Sequence, residues 1–257
     1  MSPIIDLSGK RGLVIGIANE NSIATGCAKN YVAAGARIAV TYLNERAEPF
    51  VRPIAESLAA PLILPCDVTR PGQLEQVFRA IETQWGQLDF VLHSIAFASS
   101  GALHVPLVDC SAEGFALAMD VSCHSFLRAS KLALALMKDG GSLTTVSFYG
   151  AERAVAHYNV MGPVKAALES SVRYLAADLA EQRIHVHAIS AGALKTRAAS
   201  GIDDFDRLLD DVRARTPAHQ LVSTHDVGRV AALLASDAGM ALTGSTVYVD
   251  GGFHVVA

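Results

Sequence analysis

Short runs of aliphatic and β-branched residues recur along the chain, each followed by a longer amphipathic stretch, and this alternation constrains the fold more than any other feature. Runs of this length are typical of buried strands, and the longer stretches are typical of helices. Regular alternation predicts repeated strand-helix-strand units, which place their strands parallel in one sheet. Seven runs fit the pattern, at residues 12–16, 37–42, 62–67, 90–96, 142–147, 184–190 and 245–250.

The predicted strands carry apolar residues at nearly every position rather than at every second one. Strands that are covered on both faces have this pattern, so we predict a doubly wound, Rossmann-type parallel sheet of about seven strands with helices on both faces. A chain of 257 residues, 51% of them hydrophobic, is long and apolar enough for one such domain. We therefore expect a single domain over residues 1–257.

Charge and the start of the chain argue against several classes of function. A formal net charge of −4 offers no overall attraction for nucleic acid, and no segment reaches the length of about 20 apolar residues that a membrane span needs. The first residues lack the basic and apolar regions of a secretory signal, so we expect a cytoplasmic protein. The cysteines form no paired motif and are expected to be reduced core residues: Cys27, Cys66, Cys110 and Cys123.

Two other patterns suggest chemistry only weakly. His185 and His187 would share one face of a predicted strand, but no helical carboxylate-histidine motif completes a metal site, so we expect no bound metal. Ser147 lies in the segment VSFYG and not in the GxSxG turn of serine hydrolases, so that class has little support.

The loop after the first predicted strand has features of a phosphate-binding turn. Gly16 would let the backbone approach a ligand closely, and Ser22 is placed to cap the helix that follows. The amino end of that helix would attract a pyrophosphate. Because the loop does not match GxGxxG, an ordinary turn at Gly16 is an equally open interpretation.

Residues after the next strands extend this candidate dinucleotide site. Asp67 and Val68 close the third strand, where they suit an adenine ring, although Asp67 would also serve as a helix cap. The small residues at 94–96 would let the dinucleotide lie against the backbone after the fourth strand. At the end of the second strand, residues 42–46 include both an acid and a base, and Leu43 cannot bind a phosphate. This favours NADH and leaves NADPH possible.

The strongest local pattern is the pair Tyr158 and Lys165. If one helix spans both, the seven-residue separation turns through about 700° and brings them to nearly the same face. A lysine beside a tyrosine can bind ribose hydroxyls and favour negative charge near the phenol. The alternative is a solvated lysine and a tyrosine packed at the surface.

Three segments carry a resemblance to a known family: YNVMGPVKAALE at 158–169, HSIAFA at 93–98 and AISAGALKTRAASGI at 188–202. With them the chain resembles, over essentially its whole length, the bacterial NADH-dependent enoyl-acyl carrier protein reductases of the short-chain dehydrogenase/reductase superfamily. Ordinary members of the superfamily have a tyrosine four residues before the lysine, where this chain has Met161. The wider Tyr-x6-Lys spacing is typical of the enoyl reductases.

The resemblance implies reduction of a trans-2-enoyl-acyl carrier protein in bacterial type II fatty-acid synthesis, with hydride passing from NADH to the β-carbon. Tyr158 would stabilise the resulting enolate, and Lys165 would bind the cofactor ribose. Family members are commonly homotetramers, and the apolar segment 245–257 resembles their interface. The other cofactor contacts that the resemblance implies are Gly16, Ser22, Ile23, Asp67, Val68, Ser94, Ile95, Ala96, Leu194 and Thr196.

The stretch from about 195 to 217 resembles the mobile substrate loop of the family. Together with nearby residues it would offer an apolar wall to the acyl chain, although an ordinary amphipathic helix would show the same pattern. The predicted substrate contacts are Phe148, Tyr149, Met161, Ala198, Ala199, Ile202 and Phe205.

Three positions depart from the family pattern. Phe148 stands where many members have a second tyrosine, Ala96 replaces a glycine, and Ala193 replaces a proline. Two rival functions stay open, the second of them because of Phe148. One is a carbonyl reductase of the same superfamily, which would require a tyrosine at Met161, and the other is a paralogue that binds NAD(H) without turnover. Retention of both Tyr158 and Lys165 favours the enoyl reductase.

Overall fold

The computed structural model describes residues 4–196, 204–217 and 219–256. Within those residues seven strands pair in parallel to form one sheet. The strands are β1 (Arg11–Ile15), β2 (Arg37–Tyr42), β3 (Leu62–Pro65), β4 (Phe90–His93), β5 (Gly141–Phe148), β6 (Ile184–Ala191) and β7 (Thr246–Val249).

The strands lie in the order β3-β2-β1-β4-β5-β6-β7. The chain winds outward from β1 to β3, returns to the middle, and then winds outward in the other direction from β4 to β7. This order confirms the predicted doubly wound parallel sheet. It also places the reversal of strand order between β1 and β4, which is where open sheets of this type bind ligands.

Four strands end earlier than predicted, β1 and β7 by one residue and β3 and β4 by two and three, and all of these differences lie at the carboxyl edge of the sheet. The strand predicted at 62–67 ends at Pro65, and the one predicted at 90–96 ends at His93. Beyond Ile15 the neighbouring β1 gives way to Gly16, which has a φ of +108°, so β4 loses its extended partner there. The freed residues form loops at the site instead of adding to the sheet.

Helices cover both faces of the sheet. None of them, in the part of the chain that the structure describes, combines the length and apolar character that crossing a membrane requires. The helices are α1 (Ile23–Ala33), α2 (Glu48–Ser57), α3 (Gln73–Trp85), α4 (Ser100–Leu103), α5 (Ala112–Met119), α6 (Ser125–Leu134), α7 (Met161–Leu179), α8 (Phe205–Arg215), α9 (Thr224–Ala235) and α10 (Phe253–Val256), with a π-helical segment (Asp120–His124) between α5 and α6.

Successive residues of β1 point into two separate cores, as a side-chain period of two requires. Leu13 and Ile15 pack with α3, α6 and α7 on one face of the sheet. Val14 packs with α1, α2 and α9 on the other face. Burial on both faces explains why the strands are apolar at nearly every position.

Helices α1 and α9 cross at unusually close range. A Cβ on Gly26 of α1 would lie 2.2 Å from the carbonyl oxygen of Thr224, and one on Gly228 of α9 would lie 2.4 Å from the carbonyl oxygen of Gly26. Two glycines without side chains therefore let the helix backbones touch. This contact holds the amino end of α1 at the carboxyl edge of β1.

Acidification is expected to destabilise the fold because two histidines are buried in their neutral form. Burial lowers the pKa of His93 to about 3 and that of His187 to about 4. A histidine in the unfolded chain has a pKa of about 6.5, so between about pH 6.5 and pH 4 the unfolded state binds more protons than the native state. Stability therefore falls as the pH drops through this window, by about 2 kcal/mol per histidine at about pH 5.

Urea unfolding at neutral and mildly acidic pH measures this effect. The variant His187→Leu is a matched test, because the buried Nε2 of His187 has no hydrogen-bond partner among the described residues. We expect that variant to lose roughly half of the pH dependence. An unchanged dependence would mean that other groups cause the acid sensitivity.

Candidate active site

The candidate site lies in the crevice at the carboxyl ends of β1, β4, β5 and β6. Gly16 follows β1, and a Cβ at this position would lie 2.2 Å from the carbonyl oxygen of Ser94, which follows β4. The Gly16 amide also donates to the hydroxyl of Thr41 at 3.3 Å. The loops that follow β1 and β4 therefore approach each other backbone to backbone, and only glycine fits at position 16.

The amino end of α1 faces this crevice without a side-chain cap. Ser22 occupies the N-cap position, but its hydroxyl donates to the carbonyl of Asn19 at 2.8 Å and makes no capping bond to α1. The prediction that Ser22 caps the helix with its side chain is wrong, because its hydroxyl oxygen accepts no bond from the first-turn amides of α1 and lies instead 2.9 Å from the hydroxyl of Thr25. Ile23 begins α1. The first amides of α1 are thus available to an anion, as a diphosphate site requires.

Asp67 shapes a tight turn after β3 rather than capping a helix. Its carboxylate accepts hydrogen bonds from the amide and hydroxyl of Thr69, at 2.9 and 2.6 Å, while α3 begins only at Gln73. The carbonyl of Val68 accepts a bond from Arg128 at 2.9 Å. These contacts hold the predicted adenine-binding turn at the edge of the crevice.

A serine that no sequence pattern singled out holds the loop after β4. Ser122 lies in the π-helical segment, and its hydroxyl accepts a bond from the amide of Phe97 at 2.9 Å and donates to the Phe97 carbonyl at 3.1 Å. The loop contains the predicted contacts Ser94, Ile95 and Ala96. Single π-helical turns often occur at functional sites. No local pattern reveals this role, because the partner is 25 residues away.

Removing this hydroxyl is expected to loosen the loop. Ser122→Ala removes the hydrogen-bond partner of the part-buried amide and carbonyl of Phe97, which costs about 1 kcal/mol. We expect a lower Tm and weaker NADH binding, measured by thermal unfolding and by fluorescence titration. Ser130→Ala is the control, since Ser130 is also buried but its hydroxyl bonds to the Phe126 carbonyl one turn earlier in α6 and not to the loop after β4. Equal losses of NADH affinity in both variants would contradict the role of Ser122.

Tyr158 does not lie on α7. The helix begins at Met161, and Tyr158 is in the preceding turn, between His157 and Asn159, which have positive φ values of 61° and 41°. The prediction that one helix spans Tyr158 and Lys165 is therefore wrong. The turn is held from outside the helix, because the Asn159 side chain donates to the carbonyl of Leu103 at 2.6 Å.

The ring of Tyr158 is buried beside the end of β5. It contacts Phe148 edge to face, with ring centroids 4.9 Å apart, and a Cβ on Gly150 would lie 2.4 Å from its Cδ1. Burial, and next the Glu169 carboxylate, raise the pKa of Tyr158. The phenol is protonated at neutral pH and is available as a hydrogen-bond donor.

Lys165 reaches the same strand end from α7. It is buried, and its Nζ donates to the carbonyl of Val146 on β5 at 2.6 Å. Burial lowers the pKa of its ammonium to about 8. The buried Tyr158 ring therefore contacts Phe148 at the end of β5, and the buried Lys165 ammonium contacts Val146, two residues earlier on the same strand.

The predicted substrate contacts divide into three groups. Phe148 and the buried Met161 lie with Tyr158, whereas the ring of Tyr149 packs against Phe253 of α10 at 5.5 Å. Phe205 begins α8, and its side chain is not among the described features. Three other predicted contacts lie outside the described residues: Ala198, Ala199 and Ile202.

A cavity of about 540 Å³ opens between the end of β6 and α8. Leu194 lines it, and the amide of Thr196 donates to the Leu194 carbonyl at 2.8 Å. The predicted contacts Leu194 and Thr196 thus lie where the crevice continues towards α8. The other lining residues are Ala193, Lys195, Asp206, Leu209, Asp210, Arg213, Leu221 and Val222.

Known proteins share this architecture over nearly the whole chain. A family model described as "Enoyl-(Acyl carrier protein) reductase" matches residues 16–254. The enoyl-[acyl-carrier-protein] reductase [NADH] 1 of Rhizobium meliloti is 46% identical over 250 residues, which cover 97% of this chain and 92% of that protein.

Two solved structures show the same similarity. The enoyl-(acyl-carrier-protein) reductase of Anaplasma phagocytophilum, in complex with NAD, has a TM-score of 0.94 and 46% identity and covers 100% of this chain and 97% of that one. The Bacillus cereus enoyl-acyl carrier protein reductase, with NADP+ and indole naphthyridinone, has a TM-score of 0.95 and 41% identity over 98% of both chains.

Proposed function

The chain belongs to the enoyl-(acyl carrier protein) reductase family, and from this premise we propose how its site performs the reaction. The protein is an NADH-dependent enoyl-acyl carrier protein reductase of fatty-acid synthesis. The observation that carries the proposed mechanism is that the buried Tyr158 ring and the buried Lys165 ammonium both contact the end of β5, at Phe148 and at Val146.

The residues of the crevice fit the cofactor. The uncapped amino end of α1 and the bare backbone at Gly16 suit a diphosphate. The Asp67 turn suits the adenine, and Lys165 would donate to the hydroxyls of the nicotinamide ribose. When bound, the nicotinamide supplies the hydride that the β-carbon of the enoyl thioester receives.

Tyr158 stabilises the charge that the reduction creates. As the β-carbon gains hydride, negative charge moves to the thioester oxygen, and the protonated phenol donates a hydrogen bond to that oxygen. The α-carbon then takes a proton, which completes the reduction. A donor placed where charge develops contributes about 3–4 kcal/mol to lowering the barrier. By binding the ribose, Lys165 would orient the nicotinamide towards the enoyl thioester, and its positive charge favours the enolate.

The substrate and assembly complete the proposal. Phe148 and Met161 would contact the acyl chain beside Tyr158. The carrier protein would approach from the side of α8, where the cavity lies. Exposed apolar side chains on α5 and α7, among them Phe115, Leu117 and Tyr174, suit burial between subunits of a homotetramer.

A cytoplasmic location, expected from the sequence, is part of the same proposal.

The test is a direct assay of the purified protein with a trans-2-enoyl thioester. We expect the absorbance of NADH to fall as the thioester is reduced, and NADPH to be used less well because residues 42–46 offer the exposed Leu43 where a ribose phosphate would bind. Cofactor binding without oxidation, across acyl carrier protein and coenzyme A thioesters of several chain lengths, would contradict the proposal and favour a non-catalytic paralogue.

A further inference from the structure

Glu169 is a buried carboxyl group that the reaction described above does not use. It lies on α7 one turn after Lys165, so both side chains leave the same face of the helix. Its exposed fraction is 6%, and its carboxylate accepts a hydrogen bond from the hydroxyl of Ser147 on β5. A buried carboxylate is costly unless its oxygens are bonded, so its presence here needs a reason.

Lys165 and Glu169 bind consecutive residues of the same strand. Nζ of Lys165 donates to the Val146 carbonyl at 2.6 Å, and the neighbouring Ser147 donates to Glu169. The hydroxyl of Thr246 on β7 also bonds to Glu169. The carboxylate therefore joins α7 to two strands directly behind the residues that meet Tyr158 and Lys165.

We propose that Glu169 is a positioning residue for Lys165: its negative charge keeps the buried ammonium protonated, and its bond to Ser147 holds the strand end that the ammonium contacts. This inference rests on the proposed function only in giving Lys165 the role of binding the cofactor ribose. It assigns a task to a residue outside the proposed cofactor and substrate contacts.

The groups around the pair support an electrostatic role. Among the residues that the structure describes, the titratable groups besides Glu169 that act on Lys165 or respond to it are Cys123 of the π-helical segment and His93 of β4. Burial raises the pKa of the Cys123 thiol and lowers the pKa of His93 to about 3, so both are neutral near pH 7. Glu169 is then the group beside Lys165 that can supply negative charge.

Other groups act on Glu169 itself. Burial raises its pKa, the hydroxyl of Ser147 and that of Thr246 oppose this rise, and charged or titratable neighbours are Glu152, Arg173, Tyr158 and Tyr248. The Glu169 charge also raises the pKa of Tyr158. One carboxylate thus favours the protonated forms of both the ammonium and the phenol.

The variant Glu169→Gln tests the charge while keeping an oxygen that can accept from Ser147. NADH affinity is measured by fluorescence titration over a range of pH, because the affinity falls once Lys165 loses its proton. In Glu169→Gln we expect this fall to begin at a lower pH, by on the order of one pH unit. NADH binding should then be about fivefold weaker at about pH 8 and unchanged at about pH 6. An unmoved pH profile would overturn the inference.

Two further variants keep the result interpretable. Cys123→Ala removes a neutral neighbour of Lys165, so we expect the NADH affinity of this variant to depend on pH as in the wild type. If Glu169→Gln does not fold, Ser147→Ala replaces it, since loss of that donor favours a protonated Glu169 and moves the profile the same way. A wild-type protein that binds no NADH at any pH would instead contradict the proposed function.

Discussion

Replacing Tyr158 by phenylalanine is expected to lower kcat by about 10²–10³-fold while leaving the affinity for NADH nearly unchanged. The change removes one hydroxyl, and it keeps the ring that packs edge to face on Phe148. The hydroxyl acts on charge that exists only as the enolate forms, so its loss raises the barrier without weakening the ground state. Steady-state kinetics with an enoyl thioester and a separate NADH titration measure the two effects.

Tyr31→Phe is the matched control for this result. Tyr31 is also a fully buried tyrosine packed on a phenylalanine, Phe90, but it lies in the core on the α1 face, and its hydroxyl has no partner among the described residues. We expect its kcat to equal that of the wild type. A Tyr158→Phe enzyme with wild-type kcat would show that another group stabilises the developing charge.

A single methyl group at Gly16 is expected to remove NADH binding and to destabilise the fold. The φ of +108° disfavours any side chain at a cost of about 1–3 kcal/mol, and the new Cβ of Gly16→Ala would lie 2.2 Å from the Ser94 carbonyl oxygen. To relieve that overlap, the loops that follow β1 and β4 must move apart. We expect Tm to fall by roughly 10 °C and the affinity for NADH to fall at least about tenfold.

Gly72→Ala separates backbone strain from the overlap. Gly72 also has a positive φ, of +84°, but a Cβ there has no atom of the described structure within 4 Å. This variant is expected to lose some stability through strain and to bind NADH normally. If both variants lower Tm equally and both still bind NADH, the close approach of the two loops at Gly16 is not needed for NADH binding.

Much of the fold could be predicted from the sequence because hydrophobic period is a local property. The seven apolar runs correspond to the seven strands, and β2 (Arg37–Tyr42) has the predicted bounds. The predictions failed where local pattern and tertiary contact differ. Residues 94–96 are as apolar and small as a strand end, but they leave the sheet because Gly16 turns the neighbouring strand away.

The candidate site shows the same division. The spacing of Tyr158 and Lys165 identified the two residues, yet the helical geometry inferred from that spacing was wrong, since α7 begins at Met161. The turn that carries Tyr158 depends on the bond from Asn159 to Leu103, a residue 56 positions away. No local pattern could anticipate that contact.

By itself the sequence determined the class of fold, the strand positions and the pair of residues that mark the family, because periodicity and motif spacing are properties of neighbouring residues. Only the tertiary structure decided the strand order, the separate turn of Tyr158, and the contacts of Ser122 and Glu169. Ser122 meets Phe97, and Ser147 meets Glu169, across 25 and 22 residues of chain. Such contacts form only when whole elements pack, so their partners are chosen by the three-dimensional arrangement of the strands and helices and not by any local pattern.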